Sequence, residues 1–208
     1  MRSPLRRFVV IGQLANASGD FLLDDLPGTS GRLDILLRCV RAAMLFSHGI
    51  RHNAAVYLVL GGGPHAPRVL RMDGATARFV RPDERSLALL AKKMLSSRVD
   101  ATTSGFVEVR PGIAVSRGGL DDVLIDVGTC TPYLLEEGAP DIRGITDLAP
   151  SDAAFFLGDH LGLDDATRTK LAAVGARPIG VGPVSIHAED AITIVTNELD
   201  RRSTRRDS

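Results

Sequence analysis

The amino-acid sequence predicts an α/β protein built on an open, mostly parallel sheet. Short apolar runs closed by glycine alternate with helical stretches along the whole chain. The helical stretches carry apolar residues at three- and four-residue spacing, and no internal repeat breaks the alternation. With 208 residues, 44% of them hydrophobic, the chain can bury a real core as one domain or two closely packed lobes. Aromatics make up only 4% and Trp is absent, so Leu, Val, Ile and Ala must build that core.

Residues 7–12 are read as a buried strand, a run of Phe, Val and Ile closed by Gly12. A polar loop through Asp20, Asp24 and Asp25 leads to Pro27-Gly28. The best helix follows. Thr29 or Ser30 is its expected N-cap, Leu33, Leu36, Leu37, Val40 and Met44 its apolar stripe, and Gly49 its end. Asp34 and Arg38 form an i,i+4 pair on its polar side. Residues 55–60 are a second buried strand, and 68–72 with 75–80 are read as a hairpin about Asp73-Gly74.

Pro82-Asp83 opens a second helix with Leu87, Leu90, Ala91, Met94 and Leu95 on one face. Residues 96–119 are rich in Gly, Ser and Thr, with short extended pieces. A short helix over 119–127 and a short strand over 133–135 come next. Residues 154–157 form a buried strand stopped by Gly158, 164–174 a helix, and 178–181 the last strand. The β-branched run 192–196 favours a strand, whereas Ala188, Ile192, Val195 and Leu199 keep a helical period. Residues 188–202 are therefore read as helix, with 203–208 as a disordered tail.

Formal charge is zero, with 25 basic and 25 acidic side chains, so bulk charge neither demands nor excludes a nucleic-acid partner. Only Lys92, Lys93 and Lys170 among the basic residues are lysines. Arginine is the better bidentate phosphate ligand, but such a bias more often reflects codon composition. Cys39 and Cys130 lie 91 residues apart and outside any C-x-x-C, which fits a reduced, cytoplasmic setting. FVVI near the start is too short for the apolar region of a signal peptide, and no apolar run nears the ~20 residues of a membrane span.

Several motifs carry little. Residues 61–66, GGGPHA, fit a dinucleotide fingerprint, but Pro64 and Pro67 leave no helix to open at the glycines. His48 and His52 have a metal-ligand spacing without a third ligand, so no metal is expected. Ser185, His187 and Asp190 sit on one short segment, an unusual source for a hydrolytic triad. The C-terminal third is different. Two strands run into glycine-rich loops, GDHLGL at 158–163 and GVGPVSIH at 180–187, which together would make a ligand crevice at the edge of a parallel sheet.

FFLGDHLGL (155–163) and IGVGPVSIHAEDAITIVTNELDRR (179–202) resemble the C-terminal signature of the archaeal-type SPOUT methyltransferases that methylate N1 of a tRNA T-loop pseudouridine. RFVVIGQLA, SGDFLLDDLPGTSGRLDILLRCVRAAMLFSHGIR, VYLVL and FVRPDERSLALLAKKML are similar to the same family, so the resemblance spans about residues 6–202. It implies a single SPOUT domain, with a Rossmann-like part over about 1–130 and a deep trefoil knot over about 131–202. It also implies S-adenosylmethionine as cofactor, a homodimer with each site near the subunit interface, and a tRNA or other structured RNA as substrate. By the family motif, Leu135, Gly158, Val181, Gly182, Pro183, Val184, Ser185, Ile186 and Ala191 would bind the cofactor. The family carries cysteine at the position of Ala191; alanine keeps the apolar contact and removes the thiol, which bears on catalysis and on substrate identity. Asp25 and Asp159, with Asp24, are proton acceptors or orienting groups by their place in the signature blocks, or simply caps. Arg32 and Arg38 are the expected RNA phosphate contacts. A relative that binds the cofactor but modifies another RNA, or only binds RNA, is the alternative.

Overall fold

In the computed structural model the described residues are 5–97, 103–148 and 152–206. The chain begins with β1 (Arg6–Asn16), then a helical turn α1 (Leu26–Thr29) and α2 (Leu33–Met44). A two-strand ribbon, β2 (Leu45–Phe46) and β3 (Gly49–Ile50), leads to β4 (Ala54–Gly62) and β5 (Arg68–Asp73). There follow α3 (Glu84–Leu95), β6 (Val107–Arg110), β7 (Ile113–Ser116), α4 (Gly119–Val127) and β8 (Thr131–Leu135). A 3-10 turn (Ile142–Gly144), β9 (Ala153–Gly158), α5 (Asp165–Ala173), β10 (Arg177–Ile179) and α6 (Ala188–Arg206) complete it.

The main sheet has the order β10-β8-β9-β1-β4-β5-β7-β6. The first five strands are parallel, and β5, β7 and β6 extend the sheet antiparallel. Alternate residues of each strand face opposite layers. Phe8, Val56, Leu58, Phe155 and Tyr133 pack with α2, α3 and α6; Val9, Tyr57, Val59 and Phe156 pack with α4 and α5. Phe8, Phe155 and Tyr133 sit in register on adjacent strands, with ring centroids 5.4 and 5.2 Å apart. Such stacking stabilises the centre of the sheet beyond area burial alone.

Four expectations need correction. Residues 75–80 do not pair as the second strand of a hairpin. Asp73 instead receives Ala77 N–H at 2.8 Å and donates its own N–H to Gly112 O at 2.8 Å, while β7 takes the place beside β5. Helix α2 ends at Met44, because Leu45 turns out to pair with Ile50 before Gly49 can act as a cap. Its N-cap is Arg32, in the left-handed region (φ 66), with Ser30 Oγ accepting Leu33 N–H at 3.0 Å from outside the helix. Helix α6 continues to Arg206, four residues into the expected tail; residues 207–208 lie outside the described residues.

The remaining elements follow their sequence logic. Asp83 caps α3 by accepting Ser86 N–H at 2.8 Å, and Asp164 caps α5 by accepting Thr167 N–H at 2.7 Å. Ile192, Val195 and Leu199 are buried against the core, and that packing overrides the strand preference of their β-branched run. No helix opens at Gly61. A Cβ on Gly62 would lie 2.2 Å from Leu14 O, so the glycine run lets β4 close on β1. No helix among the described residues is long and apolar enough to cross a membrane.

Candidate functional site

Strands β8, β9 and β10 end side by side, and the loops leaving them enclose a cleft of about 930 Å³. Open α/β sheets bind ligands at this edge, beyond the carboxyl ends of the strands. Leu135 contributes from β8, Leu157 and Gly158 from β9, and Val181 and Gly182 from the segment after β10. Ile35 on α2 and Ala191 on α6 add apolar wall, while Arg32, Arg38 and Glu189 add charge.

Close backbone packing shapes the cleft. A Cβ on Gly158 would lie 2.4 Å from the backbone of Gly162. That loop is folded back by Gly162 N–H on Asp159 O at 3.0 Å and by Gln13 Nε2 on Gly162 O at 3.0 Å. Gly180 is gripped in the same way. Its N–H donates to Pro140 O and its carbonyl accepts Ile142 N–H, both at 2.8 Å, and a Cβ would meet Ala139 O at 2.6 Å. Gly182 differs, because nothing lies within 4 Å of where its Cβ would stand.

A chain of charges joins α2 to α6 along the cleft. Asp34, its side chain 3% exposed, accepts from Arg32 at 3.1 and 3.2 Å and from Arg38 at 3.0 Å. Arg38 also donates to Glu189 at 2.8 Å. Burial alone would raise the Asp34 pKa, but the two guanidinium groups outweigh it and hold the carboxyl below its usual value. Asp34 was expected on a polar helix face; it is buried because these partners satisfy it. Arg38 is likewise held above its ordinary value: burial works against its charge, and the bonds to Glu189 and Asp34 prevail.

Asp159 is the other notable acid. Its side chain is fully buried, Oδ1 accepts Leu161 N–H at 2.9 Å, and Oδ2 has no hydrogen-bond partner among the described residues. His160 Nδ1 is 3.8 Å from that oxygen, too far for a hydrogen bond. Glu189 Oε2 is buried and unpartnered in the same sense. Buried carboxylate oxygens without donors are costly, and a ligand bearing donors or positive charge would relieve the cost.

Of the residues singled out in the sequence, the cleft gathers Leu135, Gly158, Asp159, Val181, Gly182, Val184, Ser185, Ile186, Ala191, Arg32 and Arg38. Pro183 lies between lining residues without lining the cleft itself. Asp25 does not reach it; it is exposed and caps α1 by accepting Gly28 N–H at 3.1 Å. Ser185 Oγ donates to Glu137, which takes it out of any triad with His187 and Asp190. His52 Nδ1 lies 3.0 Å from Gly74 O, and no cluster of metal-ligating side chains occurs among the described residues. Glu189 and Leu163, which line the cleft, and Gln13, which holds its 158–162 loop, were not singled out, although all three lie inside the quoted signature blocks. Glu136 and Arg168, which bond to each other at the cleft, carry no local signal; only the fold brings α5 to β8.

The model of a family described as "Putative SAM-dependent RNA methyltransferase" matches residues 5–204. The tRNA (pseudouridine(54)-N(1))-methyltransferase of Methanosarcina acetivorans is 41% identical over 202 residues, 97% of this chain and 94% of that protein. The proteins of the same name from Methanococcoides burtonii and Halobacterium salinarum are 39% and 40% identical, over 95% and 94% of this chain and 96% of each relative. In three dimensions the chain is similar to Nep1 of Archaeoglobus fulgidus, solved bound to S-adenosylhomocysteine. The TM-score is 0.65 at 15% identity, covering 95% of this chain and 98% of that one. At that identity the likeness bears on the fold, an α/β architecture with a mostly parallel open sheet.

Proposed function

The chain belongs to this family of SAM-dependent RNA methyltransferases, and from that premise we propose that it methylates N1 of a tRNA pseudouridine, the position-54 reaction for which its relatives are named. The observation that carries this reading is the identity of about 40% to those relatives, sustained over nearly the whole chain. The cleft fits the cofactor. Its apolar wall of Leu135, Val181 and Ala191 suits an adenine or a methylene chain, and the unpartnered Glu189 Oε2 suits a ribose hydroxyl or a cationic sulfonium. S-adenosylmethionine supplies a methyl carbon bonded to positively charged sulfur.

Pseudouridine is joined to ribose through carbon, so its N1 keeps an imide-like hydrogen. Held by the cleft residues, the cofactor would supply its methyl group to N1, with the electron pair of the broken carbon–sulfur bond going to sulfur. The N1 proton must pass to an acceptor. Asp159 serves as that acceptor in this reading, because it lines the cleft and its Oδ2 has no hydrogen-bond partner among the described residues; the 159–162 loop must shift to present that buried oxygen to the base. Asp25 offers nothing comparable, being exposed, committed to the α1 cap and outside the cleft. Arg32 and Arg38, each about two-fifths exposed at the mouth, are placed in this reading against RNA phosphates.

The same reading takes the chain as one SPOUT domain, with residues of about 131–202 as a trefoil knot. Support comes from the segment 139–142, which closes on Gly180 from two sides just before the chain turns into α6. It also takes the enzyme as a cytoplasmic homodimer without a metal, and sedimentation velocity tests the dimer. Nucleoside analysis of tRNA from strains with and without the gene tests the function. Loss of 1-methylpseudouridine is expected, and an unchanged level refutes the proposal.

A further inference from the structure

The loop joining β5 to α3 carries a feature that the cleft does not use. Phe79 is 88% exposed and has φ +59, a left-handed backbone that is an outlier for a bulky side chain. The neighbouring contacts force it. Ala77 and Val80 are buried on either side, and Ala77 N–H is tied to Asp73 O at 2.8 Å, so the ring is pushed into solvent between two anchors. Arg78 and Arg81 flank it, both exposed and with no ion pair within 4.0 Å among the described residues. Of the nearest acids in sequence, Asp73 Oδ1 accepts Ala75 N–H, and Asp83, whose Oδ1 accepts Ser86 N–H, also interacts electrostatically with Arg81.

We propose that Phe79 is a stacking platform for an unpaired base of the RNA substrate, with Arg78 and Arg81 holding the adjoining phosphates. Sequence-tolerant RNA recognition combines an exposed aromatic face with flanking arginines in this way, and strain kept at an exposed residue is a mark of a functional site. A second copy of this chain would gain little from a lone ring between two like charges. Strand β5 runs antiparallel to β4, from Arg68 opposite Leu60 to Asp73 opposite Ala55. The loop therefore emerges at the sheet edge opposite the cleft, roughly 20 Å away at 3.3 Å per strand residue. A base bound there belongs to the same RNA but not to the nucleotide being methylated. The platform rests on the RNA-methyltransferase reading and extends it to a second point of contact.

The test compares wild type with Phe79→Gly, Phe79→Tyr and the double variant Arg78→Ser/Arg81→Ser in binding a full-length tRNA transcript. S-adenosylmethionine binding and thermal melting are measured in parallel. Glycine tolerates positive φ, so Phe79→Gly should melt no lower than wild type while its tRNA Kd rises roughly fivefold to a hundredfold. Phe79→Tyr should retain most of the affinity. The double arginine variant should lower the slope of log K against log salt by about one per lost phosphate contact. S-adenosylmethionine affinity should not change in any of the three. Wild-type binding by Phe79→Gly overturns the platform while leaving the enzyme reading intact. Failure of wild type itself to bind tRNA overturns both. A change in oligomeric state on Phe79→Gly, with tRNA affinity retained, assigns the ring to a subunit contact instead.

Discussion

Replacing Asp34 by Asn should destabilise the protein at neutral pH and remove part of its acid sensitivity. Asp34 is 3% exposed and accepts three hydrogen bonds, at 3.0, 3.1 and 3.2 Å, from two guanidinium groups. Asparagine has the same shape but no charge, and its amide would face a guanidinium. Bonds to charged groups contribute about 1.5–3 kcal/mol each when buried. Here Arg32 and Arg38 are 41% and 37% exposed, so solvent screening reduces the sum to about 2–3 kcal/mol. For a domain of this size that is a fall in Tm of roughly 4–12 °C. The folded-state pKa of Asp34 is depressed, so its contribution is present above the ordinary carboxylate range and is lost as pH falls through the lower folded value. Urea melts of both proteins at pH 7 and pH 3, followed by far-UV circular dichroism, should show a gap in stability that narrows in acid. Equal stability at pH 7, or a gap of the same size at both pH values, would refute the assignment of Asp34 as a charged link between Arg32 and Arg38.

Three further outcomes follow from the cleft. Asp159→Asn should lower the single-turnover methylation rate by about a hundredfold or more while changing S-adenosylmethionine affinity little, as expected for a lost proton acceptor; equal losses in rate and cofactor binding would make Asp159 a binding residue only. Gly158→Ala places a methyl group 2.4 Å from Gly162 and must displace the 159–162 loop, so calorimetry should show S-adenosylmethionine binding weakened at least about tenfold. Ala191→Cys adds one sulfur to a wall residue that is 8% exposed, and cofactor affinity should stay within about threefold of wild type, leaving any rate change to be read as a chemical effect of the thiol.

Much of the fold was legible because local signals agreed with one another. Helix α2 carries its apolar stripe at Leu33, Leu36, Leu37, Val40 and Met44, all buried, and α4 occupies residues 119–127 as read from the sequence. The hairpin expected about Asp73-Gly74 failed for a long-range reason. Its turn chemistry is real, but Gly112 arrives from the turn between β6 and β7 to take the Asp73 N–H, and no local pattern announces that approach. The two glycine loops at the cleft were visible as loops, yet their glycines do different work than ligand approach would require. Gly158 and Gly180 are small because backbone from 162 and 139 lies against them. Gly162 and Gly182 instead open to space, and sequence spacing could not separate them from the others. Asp159 and Asp25 looked equivalent in sequence; burial and an unpartnered oxygen on one, and a cap bond on the other, distinguish them.

A neutral chain that binds RNA must find positive charge that its own carboxylates have not already consumed. At the cleft little remains. Arg38 spends Nε on Glu189 and Nη1 on Asp34, Arg32 spends Nε and Nη2 on Asp34, and Arg168 is bonded to Glu136. Arg6 and Arg51 both turn to Asp200, fastening α6 to the start of the sheet. Among the described residues each cleft arginine keeps N–H groups without a bond, so in the proposed reading a phosphate there would add to an existing pair instead of replacing water around a bare cation. Such contacts fix register more than they supply attraction. In the proposed reading the attraction comes from exposed arginines without an ion pair within 4.0 Å among the described residues, such as Arg78 and Arg81 beside Phe79, although Arg81 also feels the charge of Asp83. If both proposals hold, a protein of zero net charge would hold a polyanion by setting orientation where its arginines are paired and affinity where they are not.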